Sequence, residues 1–355
     1  MSGQALALPL VAVVTPVYNG AAYLDQTMDC VQAQSYGNVV HVVLDNASTD
    51  ETPAIIERYR ERRVPLVVGR NAETIDVRDN WEAAVRSSPR EAKYFLVLCA
   101  DDLIAPDAVE KMVALAERDP SIGIVACLWT KGTDPTSRTE GTRFGLPADI
   151  SVFDGRWFVK AYLQLHLATS PQCQLIRRDV LDNVEPFYSS DKMLMDVDAC
   201  LKVAVRRKVG FVYARLGFTR IHGGRITDRL MQPNRMYEAN WLTLIDRYGP
   251  GVMGAPELDA CRAAFLRYYF RRLLLWRFRD GNKPLYDRHV GFLEERGCRP
   301  TLLDFVSALA EWAWLAVRNR RNEVGVAKSL WPQTWAELRR SRSGMDTDRV
   351  EPIRN

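Results

Sequence analysis

Apolar runs and polar clusters alternate along the first 128 residues. Leu8 to Val14 is a valine-rich run that meets Thr15-Pro16, which predicts a buried strand entering a turn. Leu24, Met28 and Val31 then recur at helical spacing within 21–34. Val39 to Leu44 predicts a second strand, stopped by the polar cluster from Asp45 to Asp50. Ser48 or Thr49 can cap the helix predicted over 55–62, with Thr52-Pro53 near its start. Strands at Leu66 to Val68, Tyr94 to Cys99 and Ile122 to Leu128 follow, with helices over 80–87 and 106–117. The strands are continuous apolar runs, so they predict a mostly parallel sheet covered on both faces. Ligands of such sheets bind beyond the carboxyl ends of the strands, where the polar clusters fall.

The later pattern differs. Residues 131–150 read as a loop rich in Gly, Thr, Pro and Arg. Helices are predicted over 157–167 and 197–205, and a strand over 211–219. From Met236 the pattern is helical, with breaks at 249–256, 280–284 and 297–300. The expected division is an α/β domain over 1–230, split near 130. A helical extension over 231–345 and a disordered tail over 346–355 complete it.

At 355 residues, 47% apolar and 26% charged, the chain has two domains' worth of ordinary globular sequence. That excludes a collagen-like rod or a small disulfide scaffold. The net charge of +4 is unevenly spread. Residues 1–230 hold 27 Lys/Arg against 29 Asp/Glu, whereas 231–355 hold 21 against 15. No basic stripe interleaved with aromatics points to nucleic acid. The seven cysteines form no CxxC pair and read as reduced core residues of a cytoplasmic protein. A signal peptide and a transmembrane helix are not expected.

Candidate chemistry lies in the polar clusters. Asp101 and Asp102 leave an apolar strand, where carboxylates need water, a cation or a donor; a hard divalent cation with diphosphate oxygens suits them, and so does a helix N-cap. Asp196 and Asp198 interrupt an apolar stretch at a helix start, which fits a general base or a cap. His222 precedes Gly223-Gly224, as in a loop that closes over a site, though an isolated histidine is usually structural. Asp45 suits a base N–H or a turn. Arg70 and Arg78 suit phosphate or solvent. His41 and His166 read as packing residues, and His289 has no visible partner.

In order, these motifs resemble those of a family 2 glycosyltransferase with the GT-A fold. The matching pieces are Val14-Thr-Pro-Val-Tyr-Asn-Gly, Leu44-Asp-Asn-Ala-Ser-Thr-Asp, Arg70-Asn71 with Arg78-Asp-Asn-Trp, Leu98-Cys-Ala-Asp-Asp, Met195-Asp-Val-Asp and Arg220-Ile-His-Gly-Gly. The resemblance implies transfer of a sugar from a nucleotide diphosphate sugar to a glycan or lipid-linked acceptor, with inversion. It implies Thr15, Pro16, Tyr18 and Asp45 at the base and ribose, Arg78 near the phosphates, and Asp102 beside the donor. It further implies Asp101 and His222 on Mg²⁺ or Mn²⁺, and Asp196 as general base. Two positions depart from the pattern. Cys99 replaces the first acid of Asp-x-Asp and is a poor ligand for a hard cation, and Met195 replaces the Glu of Glu-Asp.

Residues 301–317 carry a narrow polar stripe of Asp304, Ser307 and Glu311. With Arg318, Arg320 and Arg321 nearby, two readings stay open: a helical domain with its own core, or peripheral contact with an anionic membrane. The rival functions are a nucleotidyltransferase, which would show a Gly-rich phosphate loop after strand one, and a non-catalytic nucleotide-sugar-binding scaffold.

Overall fold

The computed structural model describes residues 7–140, 151–165, 173–189, 194–225 and 227–317. His166, Arg318, Arg320, Arg321 and the 346–355 tail lie outside the described residues. The chain separates into two compact units, one of residues 1–158 and 168–225, the other of 159–167 and 226–355.

In the first unit β1 (Val11–Val17), α1 (Leu24–Gln32), β2 (Val39–Asp45), α2 (Thr52–Glu57), β3 (Leu66–Arg70), α3 (Val77–Arg86) and β4 (Tyr94–Val97) alternate. Then come β5 (Leu103–Ile104), α4 (Ala108–Ala116), β6 (Ile122–Gly132), β7 (Arg138–Glu140), β8 (Val152–Phe153), α5 (Gly155–Leu165), β9 (Gln174–Arg177), α6 (Met195–Ala204) and β10 (Lys208–Arg220). One sheet runs β3-β2-β1-β4-β9-β6-β10-β5, with β7 beside β6 and β8 beside β10. β3, β2, β1 and β4 pair in parallel. β9 is antiparallel to β4 and to β6, and β10 is parallel to β6. Thus β1, β2, β3, β4, β6 and β10 share one direction, and their carboxyl ends form one rim. β1 and β2 are buried along their whole length, as their unbroken apolar sequences require.

The expected mostly parallel sheet is present, with differences in detail. β6 does not pair directly with β4; the short β9 lies between them. β1 continues through Thr15-Pro16 rather than turning there. Pairing with β4 stops at Val14, whose carbonyl accepts Leu98 N–H at 2.8 Å. Alternation points the Pro16 nitrogen to that same, now unpaired side, so the missing N–H costs no ladder bond. Within 131–150, Lys131-Gly132 extends β6, and 138–140 pairs with it.

In the second unit, the end of α5 joins α7 (Gln232–Asn234), α8 (Met236–Val252), α9 (Ala255–Leu274), α10 (Lys283–Glu294) and α11 (Leu302–Val317). Trp241, Leu242, Ile245, Tyr269, Leu273 and Trp276 are buried in its core. Tyr162 stacks on Trp241 with centroids 5.0 Å apart. α8 runs through Pro250 in its last turn, where the helix forgoes one N–H donor just before the expected break. His289 does have partners. Its Nε2 is 2.9 Å from the Asn234 carbonyl, so Nδ1 accepts the Tyr269 hydroxyl. The predicted polar stripe of α11 turns inward in part. Glu311 accepts from Arg267 at 2.8 Å and Arg271 at 2.6 Å, and Ala308 is buried. Leu302, Leu303, Val306, Leu309, Trp312 and Trp314 are exposed instead. Among the described residues no helix is long and apolar enough to cross a membrane.

Candidate active site

The loops after β1 and β2 are tied together along the rim. Ser48 Oγ accepts the Asn19 N–H at 2.8 Å, and Asn19 Oδ1 accepts the Thr49 N–H at 2.9 Å. Thr52 Oγ1 accepts from Gly20 at 2.8 Å, and Asp50 from Ala21 at 3.1 Å. Asn19 and Ala47 take left-handed backbone at φ 48° and 58°, which the reciprocal bonds sustain. Tyr18 projects from this edge, 52% exposed. Pro16 is buried one step below it. Thr15 lies deeper still: it is fully buried, and its Oγ1 is 2.9 Å from His41 Nε2. Burial pushes His41 down to about 3, so the imidazole is neutral and packs in the core.

Asp45 ends β2 and is 2% exposed. Its Oδ1 accepts the Ser48 N–H at 3.0 Å, and its Oδ2 pairs with Arg70, whose second nitrogen donates to the Ser48 carbonyl at 2.9 Å. Asn46 Oδ1 accepts from Asn71 at 2.8 Å and from the Ile75 N–H at 3.0 Å, and Asn71 donates also to Asn80 of α3 at 3.0 Å. This asparagine chain joins β2, β3 and α3. Arg78 lies in the first turn of α3, capped by Asp76, and pairs with Asp79.

The segment after β4 meets the end of β10, the other polar cluster on the rim. His222 Nε2 lies 2.9 Å from Asp101 Oδ2. Asp102, 5% exposed, accepts the Arg220 N–H on Oδ1 at 2.9 Å. Arg220 braces both: its Nε donates to the Asp101 carbonyl at 3.0 Å, another nitrogen reaches Gln26 at 2.7 Å, and it lies 4.7 Å from the Tyr23 ring. Tyr23 also packs on His222. Gly224 keeps the turn open, because a Cβ there would come within 3.2 Å of His222 Nδ1. Cys99, Asp101 and Asp102 can bring ligand atoms within 4.8 Å of one another. Burial and Asp101 push Asp102 well up; burial and then Asp102, Asp101 and Asp196 do the same to the Cys99 thiol, which Arg225 opposes.

Asp196 opens α6. It lines a small pocket with Val97, Gln174, Tyr188 and Cys200. Val97 ends β4 and Gln174 begins the antiparallel β9, so the pocket lies at the same rim. Burial raises the Asp196 carboxyl, against the Val197 N–H and its own. Glu82 of α3 fixes the pocket wall by accepting the N–H groups of Phe187 at 3.1 Å and Tyr188 at 2.9 Å. The bracing residues Gln26, Tyr23, Asn46, Asn71, Glu82 and Arg220 had no role in the sequence reading. Of these, Asn46, Asn71 and Arg220 fall within the motifs quoted above, and the other three carry no sequence signal.

The sheet, its rim and this order of polar clusters agree with one family. Residues 12–200 match Glycosyl transferase family 2, more than half of the chain. The chain belongs to this family. An uncharacterized glycosyltransferase of Rickettsia prowazekii is 24% identical over 234 residues, covering 66% of this chain and 70% of the relative. The putative teichuronic acid biosynthesis glycosyltransferase TuaG of Bacillus subtilis is 28% identical over 109 residues, 30% of this chain and 41% of TuaG. Among solved structures, S. aureus TarS 1–349 in complex with UDP-GlcNAc superposes with a TM-score of 0.57 at 15% identity, covering 97% of this chain and 95% of that one. Mannosyltransferase PcManGT from Pyrobaculum calidifontis, in complex with GDP-Man and Mn²⁺, gives 0.53 at 17%, covering 92% and 89%. At such identities the likeness shows the fold, which is GT-A. Within this family-2 chain, a partly exposed carboxylate beside an imidazole, with a second carboxylate behind, is a donor set that fits a divalent cation.

Proposed function

We propose that this family-2 chain moves a sugar from a nucleotide diphosphate sugar to an acceptor hydroxyl on a glycan or lipid-linked glycan, inverting the anomeric centre. One observation carries the reading: a carboxyl raised by burial, Asp196, shares a strand-end rim with the Asp101, Asp102 and His222 cluster. Two neighbours were solved with UDP-GlcNAc and GDP-Man, which supports the donor class. The name of TuaG, a putative teichuronic acid biosynthesis glycosyltransferase, supports polymer assembly as the setting.

In this reading Tyr18 and Pro16 flank the base, and Asp45 accepts a base N–H once Arg70 turns from Oδ2 to the diphosphate. The backbone at Thr15 completes the floor. Arg78 swings from Asp79 to the same phosphates. Asp101 and His222 hold Mg²⁺ or Mn²⁺, which when bound offsets negative charge on the departing diphosphate. Asp102, held by Arg220, keeps Asp101 in place. Asp196 takes the proton of the acceptor hydroxyl as that oxygen attacks from the face opposite the diphosphate, and a single displacement inverts the centre. The test pairs thermal shift against UDP- and GDP-sugars, with and without Mn²⁺, with slow release of nucleotide diphosphate from the stabilising donor. Asp101→Ala should abolish that release. Release of pyrophosphate from a nucleoside triphosphate and sugar phosphate would instead favour a nucleotidyltransferase.

A further inference from the structure

Cys99 brings sulfur to a place where its neighbours bring oxygen. Its ligand atom and those of Asp101 and Asp102 can lie within 4.8 Å of one another. One ion could touch all three after small side-chain rotations, given metal–sulfur distances of about 2.3 Å and metal–oxygen distances of about 2.0–2.2 Å. Two of the three residues have bonding capacity unused. Among the described residues Cys99 Sγ has no hydrogen-bond partner. Asp102, 5% exposed, spends Oδ1 on the Arg220 N–H and has no partner for Oδ2. That oxygen is therefore open to a cation or to water. His222 Nε2, 2.9 Å from Asp101 Oδ2, adds nitrogen to the set.

Thiol, imidazole and carboxylate together are not the donors Mg²⁺ selects. It takes oxygen in near-ideal octahedra, whereas sulfur favours Zn²⁺ and other borderline ions. We infer that Cys99 is itself a metal ligand and turns this site from Mg²⁺ towards thiophilic divalent cations of the Co²⁺ and Zn²⁺ class. The inference rests on the reading of Asp101 and His222 as metal ligands and replaces the Mg²⁺ or Mn²⁺ of that reading with a thiophilic ion.

The experiment titrates Co²⁺, Zn²⁺ and Mg²⁺ into the full chain by calorimetry and follows Co²⁺ by absorption. Cys99→Ser and Cys99→Asp run alongside, with circular dichroism melts to confirm folding. The expected result is a near-ultraviolet sulfur-to-Co²⁺ charge-transfer band, lost in both variants although each still binds Co²⁺; loss on changing this one cysteine sets the other six aside. Cys99→Ser should weaken Co²⁺ and Zn²⁺ by roughly 10- to 100-fold, as for a disrupted metal shell, and leave Mg²⁺ little changed. Cys99→Asp should bind Mg²⁺ more tightly than the unaltered chain. Co²⁺ bound without the band, or one Co²⁺-to-Mg²⁺ affinity ratio shared by the chain and Cys99→Ser, overturns the role of Cys99 and leaves Asp101 and His222 standing. Failure of all three ions to bind overturns both.

Discussion

Asp196 and Asp198 stand two positions apart on α6 and meet different surroundings. Asp198, 2% exposed, has Lys202 Nζ 3.1 Å from its Oδ2, one helical turn along. Asp196 faces the small pocket, where burial raises it and only backbone N–H groups oppose. Asp196→Asn should therefore lower kcat by roughly 10²- to 10⁴-fold, the usual worth of a general base, and leave donor Kd unchanged. The folded state binds this proton more tightly than the unfolded chain, so ionisation at neutral pH costs stability. The same variant should match or exceed the original Tm at pH 7, and a large drop in Tm would remove the assignment. Turnover should also fall as pH drops through the raised pKa. His41 gives the opposite slope. Its folded value is about 3 against 6.5 when free, so the unfolded chain takes up a proton first as pH falls below 6.5. Between pH 6.5 and 5 this should cost on the order of 2 kcal/mol in urea unfolding. His41→Gln, which can still bond Thr15, should flatten that slope.

At the scale of elements, α5 begins against the end of α6 with no space to spare. A Cβ on Gly155 would lie 1.9 Å from the carbonyl oxygens of Ala204 and Arg207, both backbone. Gly155→Ala should cost about 3 kcal/mol in chemical denaturation, because no side chain can rotate away. Much of the sheet was legible in the sequence for a plain reason. Strands buried on both faces need unbroken apolar runs, and β1, β2 and β4 supply them. β9 was not legible. Its four residues, Gln-Leu-Ile-Arg, are too few for a periodic signal, and only the sheet places them between β4 and β6. α11 misled differently. Its polar stripe follows helical spacing, but Glu311 is drawn inward by Arg267 and Arg271, and periodicity carries no information about such long-range pairs.

For the whole molecule, the acids and histidine of the site were legible because each ends or interrupts an apolar run. Their mutual contacts were not, since Asp101 and His222 are 121 residues apart. The exposed apolar face of α11 and the basic excess of the last third suit an anionic bilayer surface. Full-length chain should float with vesicles containing anionic phospholipid and not with neutral ones, and Leu303→Ser with Trp312→Ser should reduce that binding; flotation indifferent to lipid charge would dismiss it. The bonds that tie the loop after β1 to the loop after β2 bear on inheritance. The N–H groups of Asn19, Gly20 and Ala21 donate to Ser48, Thr52 and Asp50, and Asn19 Oδ1 accepts from Thr49. A chimera taking one loop from a relative breaks reciprocal bonds on both sides, whereas one taking both keeps them. Altered donor choice should thus pass between such enzymes as a pair of segments some thirty residues apart, exchanged together or not at all.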